Sequence, residues 1–214
     1  TVEDPVEIEL EGINQVNINP DIQFTFANAL RSILRQDPNI IMVGEIRDTE
    51  TAQIAVKASL TGHLVLSTIH TNSAVKTITR LIDMGIDSFL VASSLSGVVA
   101  QRLLRVVCPH CSTLEEPSKD EAEILEKNGF KPFKLKKAQG CDICNQKGYK
   151  GRTAIFEILD VNEEIVKLVS NHAHEYEILE QARKDGTHLL IEAGIIKVRR
   201  GITTLEEVMR ISLD

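Results

Sequence analysis

All four cysteines of the 214-residue chain fall in two C-x-x-C pairs, Cys108-Pro109-His110-Cys111 and Cys141-Asp142-Ile143-Cys144. Two residues between ligands let both thiolates of a pair turn toward one point, and two such turns complete the tetrahedral sulfur set that zinc accepts. The gap between the pairs is longer than in most zinc ribbons and is compatible with an inserted loop. His110 is a rival ligand, but the Cys₄ set is complete without it. A closed sulfur sphere leaves no position for a substrate, so the metal expected here is structural. A redox motif would need only one pair, and persistent disulfides do not suit an intracellular protein.

A second group of residues suggests phosphate chemistry. Ile40-Ile41-Met42-Val43 is a continuous apolar run ending in Gly44-Glu45. Such a strand delivers a carboxylate to the C-terminal edge of a parallel sheet, where it can hold Mg²⁺ or orient an attacking water. A hydrophobic strand ending in Glu is common, so the reading depends on its company. Glu3 and Asp4 are acids beside a strand end. His63 and His70 flank the next apolar run, with Thr68, Thr71 and Asn72 clustered around its end. Arg31, Arg35 and Arg47 are cations able to face phosphate. Each has a plain structural alternative: His63 could cap the preceding helix, His70 could be a satisfied polar residue, and the paired arginines could bind Asp37 or Glu50. The 214 residues contain no G-x-x-x-x-G-K-[ST] loop to cradle phosphates through backbone N–H groups.

The elements that must position these groups can be read from the apolar periodicity. Phe26, Ala29, Leu30, Ile33 and Leu34 share one helical face, with Thr25 as N-cap and Pro38 beyond the end. Residues 40–43 and 64–69 read as strands buried on both faces. Helices are expected over 49–60 and 73–84, and a longer apolar helix over 88–107. Strand and helix alternate repeatedly, which indicates an α/β domain with a mainly parallel sheet. Composition changes at Cys108, and residues 153–158 read as a strand. Residues 162–213 read as short helices broken at Gly186, Gly194 and Gly201. The organisation expected is 1–107, 108–158 and 159–214.

Composition narrows the function classes. Hydrophobic residues make up 43% of the chain, enough for a core, and aromatics only 4%. No apolar run is long enough to cross a bilayer, and residues 1–11 are acidic rather than a basic-then-apolar leader. A soluble intracellular protein is the default expectation. The net charge of −7 argues against nucleic acid as the main partner. Residues 131–152 run against that trend, with Lys131, Lys134, Lys136, Lys137, Lys147, Lys150 and Arg152 facing the single acid Asp142. This patch motivates a rival reading, a non-enzymatic zinc-ribbon module binding nucleic acid or a protein partner.

The stretches 1–7, 31–38, 43–48, 60–72 and 99–103, together with the two cysteine pairs, closely resemble the hexameric secretion ATPases. Within them the resemblance is to the type II secretion and type IV pilus assembly branch, whose tetracysteine subdomain the pilus-retraction relatives lack. A DNA-uptake or DNA-transfer ATPase is the alternative within the same superfamily. The resemblance implies a partial RecA-like P-loop NTPase core, a Cys₄ zinc-binding subdomain and a small helical C-terminal subdomain. It assigns Glu3, Asp4 and Glu7 to an acidic box that positions Mg²⁺ and water, and Glu45 to the Walker B glutamate. It assigns His63 and His70 to a histidine box with His70 sensing the γ-phosphate, and Arg47 to a motif arginine beside Walker B. It also implies ATP and Mg²⁺ in the intact protein and a hexameric ring of copies of itself. The implied location is cytoplasmic, peripheral to the inner membrane, where an inner-membrane platform protein and other assembly components are partners. The family's phosphate loop lies upstream of the acidic box, so a fragment of a longer protein is expected, inactive alone.

Overall fold

The computed structural model describes residues 1–212; the last residues of the predicted C-terminal helical region, Leu213 and Asp214, lie outside the described residues. The chain forms two compact units. The first comprises Thr1–Thr71, Val75–Val98 and Asp160–Ala182, and the second Asn72–Ala74, Val99–Leu159 and the residues from Arg183 onward. No described helix is long and apolar enough to cross a membrane.

The first unit is built on a four-stranded parallel sheet. Its strands are β1 (Val2–Glu3), β2 (Val16–Asn17), β3 (Ile40–Val43) and β4 (Leu64–Ser67), in the order β2-β1-β3-β4. Helix α1 (Phe26–Ile33) starts where Thr25 Oγ1 accepts the Asn28 N–H, and a 3-10 turn carries the chain to Pro38. Helix α2 (Thr49–Leu60) is capped by Asp48, which accepts from Thr51 N at 2.8 Å and Thr51 Oγ1 at 2.9 Å. The apolar faces of these helices meet Val2, Ile41 and Val43, with Phe26, Ala29, Leu30 and Ala55 completing the core. Helices α3 (Ala74–Asp83) and α4 (Ser88–Ser94) come next in the chain.

Three expectations need correction. Residues 88–107 are not one helix. Helix α4 stops at Ser94, Leu95 turns extended, and Gly97–Val107 is strand β5. Its apolar, β-branched composition (Val98, Val99, Val106, Val107) suits a strand, and apolar runs of this kind do not reveal their period. The run at 64–69 is not buried on both faces. Strand β4 is the edge strand, and its register sets Leu64 beside Ile40 and Leu66 beside Met42. Leu64 and Leu66 are each 50% exposed and Ile40 65%, while Ile41 and Val43 face the core. Gly194 does not break a helix but lies inside α8 (Leu190–Arg199). A Cβ there would sit 2.6 Å from Val208 Cγ1, so the glycine permits close approach of α9 (Leu205–Ser212).

The second unit pairs β5 with β8 (Tyr149–Asp160) and β6 (Thr113–Glu115) with antiparallel β7 (Leu135–Lys137). Its core joins Leu104 and Ile155 of the long strands to Leu125 of α5 (Lys119–Lys127), Leu135, Ile195, Val198, Leu205 and Val208. The strand expected at 153–158 is therefore present and longer. Helices α6 (Glu163–Ser170) and α7 (Glu175–Lys184) complete the chain order between β8 and α8.

Candidate functional site

Parallel pairing decides which of the candidate residues meet. Strands β1, β3 and β4 run in one direction, so the residues that leave their C-terminal ends share one sheet edge. Gly44 N donates to Val2 O at 2.7 Å, and Ile46 N to Thr68 O at 2.9 Å. The Thr68 hydroxyl donates to Gly44 O at 2.6 Å. These bonds fix the turn on which Glu45 is mounted.

Glu45 is the centre of the cluster, with its side chain only 14% exposed. One carboxylate oxygen pairs with the Arg47 guanidinium, and the other lies 3.2 Å from His70 Nε2. Arg47 holds the Glu45 carboxyl below the usual carboxylate range against the opposing effect of burial, and His70 adds a smaller push in the same direction. Glu45 in turn raises the Arg47 pKa, and the field of Asp4 contributes further. The His70 side chain is 88% exposed, so its ring is held by this one contact rather than by packing.

The other candidates are placed differently. The Glu3 carboxylate turns to Thr1 Oγ1 at 2.6 Å and Gln15 Nε2 at 3.1 Å, bonds that lower its pKa. Asp4 and Glu7 are exposed on the loop after β1, whose Asp4–Pro5 peptide is cis. His63 precedes β4, and its Nδ1 lies 3.0 Å from Ala58 O at the end of α2. Arg31 makes an ion pair with Glu50 at 2.5 Å, and Arg35 is exposed without an ion pair among the described residues. Gln15 and Asn17 were not singled out by the sequence. Gln15 binds Glu3, Leu10 N and Ile8 O, and Asn17 Oδ1 accepts from Val6 N, so together they staple the acidic loop. Gln15 precedes the two-residue strand β2 and Asn17 ends it, and so short an element carries no periodic signal that would find them.

The four cysteine sulfurs form one cluster, all within 4.8 Å of one another. Three separations are 3.7, 3.8 and 3.9 Å. Four sulfurs at a Zn–S distance of about 2.3 Å would be about 3.8 Å apart, whereas a disulfide needs about 2.05 Å. The donor set therefore fits zinc. Cys144 Sγ accepts N–H bonds from Cys141 and Gly148 at 3.3 and 3.2 Å. Burial alone would raise its pKa, but these donors bring it to about 6. Burial and the neighbouring thiols push Cys111 up to about 12, which marks a cluster that resists full ionisation without a cation. Gly148 is required: its φ is +73°, and a Cβ would lie 2.8 Å from Ala138 Cβ. In the nearby basic stretch, Lys134 pairs with Glu116 and Lys137 with Glu121, so part of that charge is neutralised internally.

A parallel α/β unit presenting Glu45 at its strand edge, in one chain with four clustered cysteines that could hold a metal, fits a class: RecA-like ATPase folds. The chain belongs to the type II/IV secretion system protein family, whose model matches residues 1–210. It is 52% identical over 214 residues to the type II secretion system ATPase E of Vibrio cholerae, covering 100% of this chain and 42% of that protein. It is 49% identical over 219 residues to the type IV pilus assembly ATPase PilB of Pseudomonas aeruginosa, covering 100% of this chain and 38% of that one. Among solved structures, the ADP-bound pilus retraction motor PilT superposes with a TM-score of 0.69 at 28% identity, covering 100% of this chain and 52% of PilT. The chain thus spans about two fifths of the length of these curated relatives.

Proposed function

We propose that this chain is the Walker B, acidic-box and metal-binding portion of an ATPase that drives type II protein secretion or type IV pilus assembly. The observation that carries the reading is the pairing of Glu45 with both Arg47 and His70 at the C-terminal edge of β3 and β4. Edges of this kind receive phosphate ligands in open parallel sheets. Residues 1–107 would supply the nucleotide chemistry, residues 108–158 a structural zinc module, and residues 159–214 a helical end.

Catalysis would proceed by positioning and electrostatics rather than a covalent intermediate. Bound Mg²⁺ would neutralise charge on the phosphoryl oxygens of ATP. Glu45, kept ionised by Arg47, would accept a hydrogen bond from the attacking water. In the resting geometry its second oxygen faces His70. A γ-phosphate competes for that imidazole, and the exposed ring is free to turn toward it. Release of His70 then frees the Glu45 oxygen for water, so the same contact serves as sensor and switch. Asp4 and Glu7 lie on the loop at the same strand edge and would complete the metal side, with Glu3 anchoring that loop through Gln15. The relatives' names support secretion or pilus assembly as the output. A self-assembled hexameric ring, an inner-membrane platform protein as partner and a cytoplasmic, membrane-peripheral location are proposed with it. The 214 residues carry no phosphate loop, so this chain by itself should turn ATP over negligibly.

The test is Glu45→Gln in the longer protein containing this chain. ATP binding should be retained within about threefold, while turnover falls by about 10²-fold or more. Normal turnover would remove Glu45 from the role and pass it to Glu3 or Asp4.

A further inference from the structure

Gly148 is a residue at which both cysteine pairs are held. Its N–H donates to Cys144 Sγ at 3.2 Å, and its carbonyl accepts the Cys108 N–H at 2.9 Å. Its left-handed backbone is tolerated because it lacks a Cβ, and for the same reason it has no side chain to hold it in place. Whatever keeps this backbone aimed at the cysteines must come from a neighbour.

Tyr149 is that neighbour. It is the first residue of β8, where the metal loop passes into the strand. Its hydroxyl lies 2.8 Å from Thr204 Oγ1, and Thr204 is buried immediately before α9. Thr204 Oγ1 also accepts the Glu207 N–H at 3.2 Å, so this hydroxyl is fixed by the first turn of the helix. The Arg105 guanidinium lies over the Tyr149 ring, 4.1 Å from its centroid. Arg105 is held in turn. Its Nε and Nη2 donate to the buried Glu207 carboxylate at 2.9 and 2.6 Å, and its carbonyl accepts the Thr203 hydroxyl at 2.8 Å. Tyr149 is thus gripped at its hydroxyl and over its ring by groups that are themselves pinned, and all of them belong to the second unit.

We propose that Tyr149 is a positioning residue for the metal centre: its side chain fastens the Gly148 backbone, whose N–H and carbonyl orient Cys144 and Cys108. The inference rests on the zinc reading of the cysteine cluster. Groups that orient metal ligands act on affinity without touching the metal, and losing one weakens binding by about 10- to 100-fold. The arrangement also gives α9 a share in the centre, since Thr204 and Glu207 hold Tyr149 from the start of that helix.

The experiment measures the zinc affinity of the longer protein containing this chain, by competition with a chromophoric chelator. Tyr149→Leu removes the hydroxyl and the ring, and its zinc Kd should rise by about 10- to 100-fold. Tyr149→Phe keeps the ring beneath Arg105 and loses only the bond to Thr204, so its Kd should rise by about three- to tenfold. Ile195→Ala opens a cavity in the core of the same unit and should leave the Kd within about twofold. With Co²⁺ in place of zinc, the thiolate-to-metal charge-transfer band should shift in Tyr149→Leu and stay in place in Ile195→Ala. If Tyr149→Leu does not fold, Tyr149→Phe carries the test against the same control. Wild-type affinity in the Tyr149 variants, or an equal weakening in Ile195→Ala, would overturn the positioning role alone. A wild-type protein that binds no zinc would overturn the zinc reading, and the positioning role with it.

Discussion

The ionic cluster around Glu207 makes a stability prediction whose size can be worked from the structure. Glu207 is fully buried. Its Oε1 accepts from Arg105 N at 3.0 Å and Arg210 Nη2 at 2.9 Å, and its Oε2 from Arg105 Nε, Arg105 Nη2 and Arg210 Nε at 2.9, 2.6 and 3.0 Å. The Arg105 guanidinium also lies over the Tyr149 ring, 4.1 Å from its centroid. Burial alone would raise the Glu207 pKa, but Arg210 and then Arg105 reverse this and bring it from 4.5 to about 2. At about 1.4 kcal/mol per pH unit, that difference corresponds to about 3 kcal/mol. A depressed carboxylate contributes stability above its unfolded pKa and loses it as pH falls through the folded one. The second unit should therefore weaken between about pH 5 and pH 2. Glu207→Gln removes the charge at constant shape and should cost about 3 kcal/mol at pH 7. The lower end of the range for a broken buried pair applies because both arginines retain access to water. The chain has two tyrosines, so Tyr176→Phe leaves Tyr149 as the reporter for urea unfolding of the second unit. Wild type should lose stability across that acid window, and the Gln variant should lose less of it, with Glu121, which burial would raise but Lys137 lowers, still titrating there. A Gln variant within about 1 kcal/mol of wild type and with the same acid slope would refute the reasoning.

Two further predictions concern the second unit. Metal analysis of the purified chain should find about one zinc per chain, and chelation should lower the stability of the second unit; absence of metal, or a Cys108–Cys111 disulfide under reducing conditions, would count against the site. Gly194→Ala should destabilise by about 1–3 kcal/mol, because its Cβ would lie 2.6 Å from Val208. An unchanged urea midpoint would show that α8 and α9 can separate without cost.

Local chemistry made much of this molecule legible. Thr25 and the apolar face of α1 gave a capped helix because both signals lie within a few residues of each other. The cysteine pairs announced their own convergence, since each C-x-x-C is a turn and the turns can share a ligand. The strand at 97–107 was not legible, because its polar residues Gln101, Arg102 and Arg105 fall at i, i+1 and i+4, a spacing that also fits the polar side of a helix. Leu64 and Leu66 read as buried because hydropathy records what a side chain prefers, not whether this chain supplies the neighbour. Glu157 and Glu207 were not singled out by the sequence, because their partners Ala74 and Arg105 lie 83 and 102 residues away. Only tertiary placement turns such a carboxylate inward.

The two histidines around β4 show how topology separates residues that sequence groups together. They flank one apolar run and stand seven residues apart in a single motif. Strand β4 runs parallel to β3, so the residues after it reach the edge where Glu45 sits, while those before it lie at the opposite end. Four strand residues at about 3.3 Å each set those ends about 13 Å apart. His63 meets a carbonyl at the end of α2 there, and His70 meets Glu45 at the other end. The same parallel direction that gathers Glu45, Thr68 and His70 therefore keeps His63 from reaching the same carboxylate from its own strand end. A hydrogen-bonding partner for Glu45 has to come after a strand of this sheet rather than before one, and His70 meets that requirement.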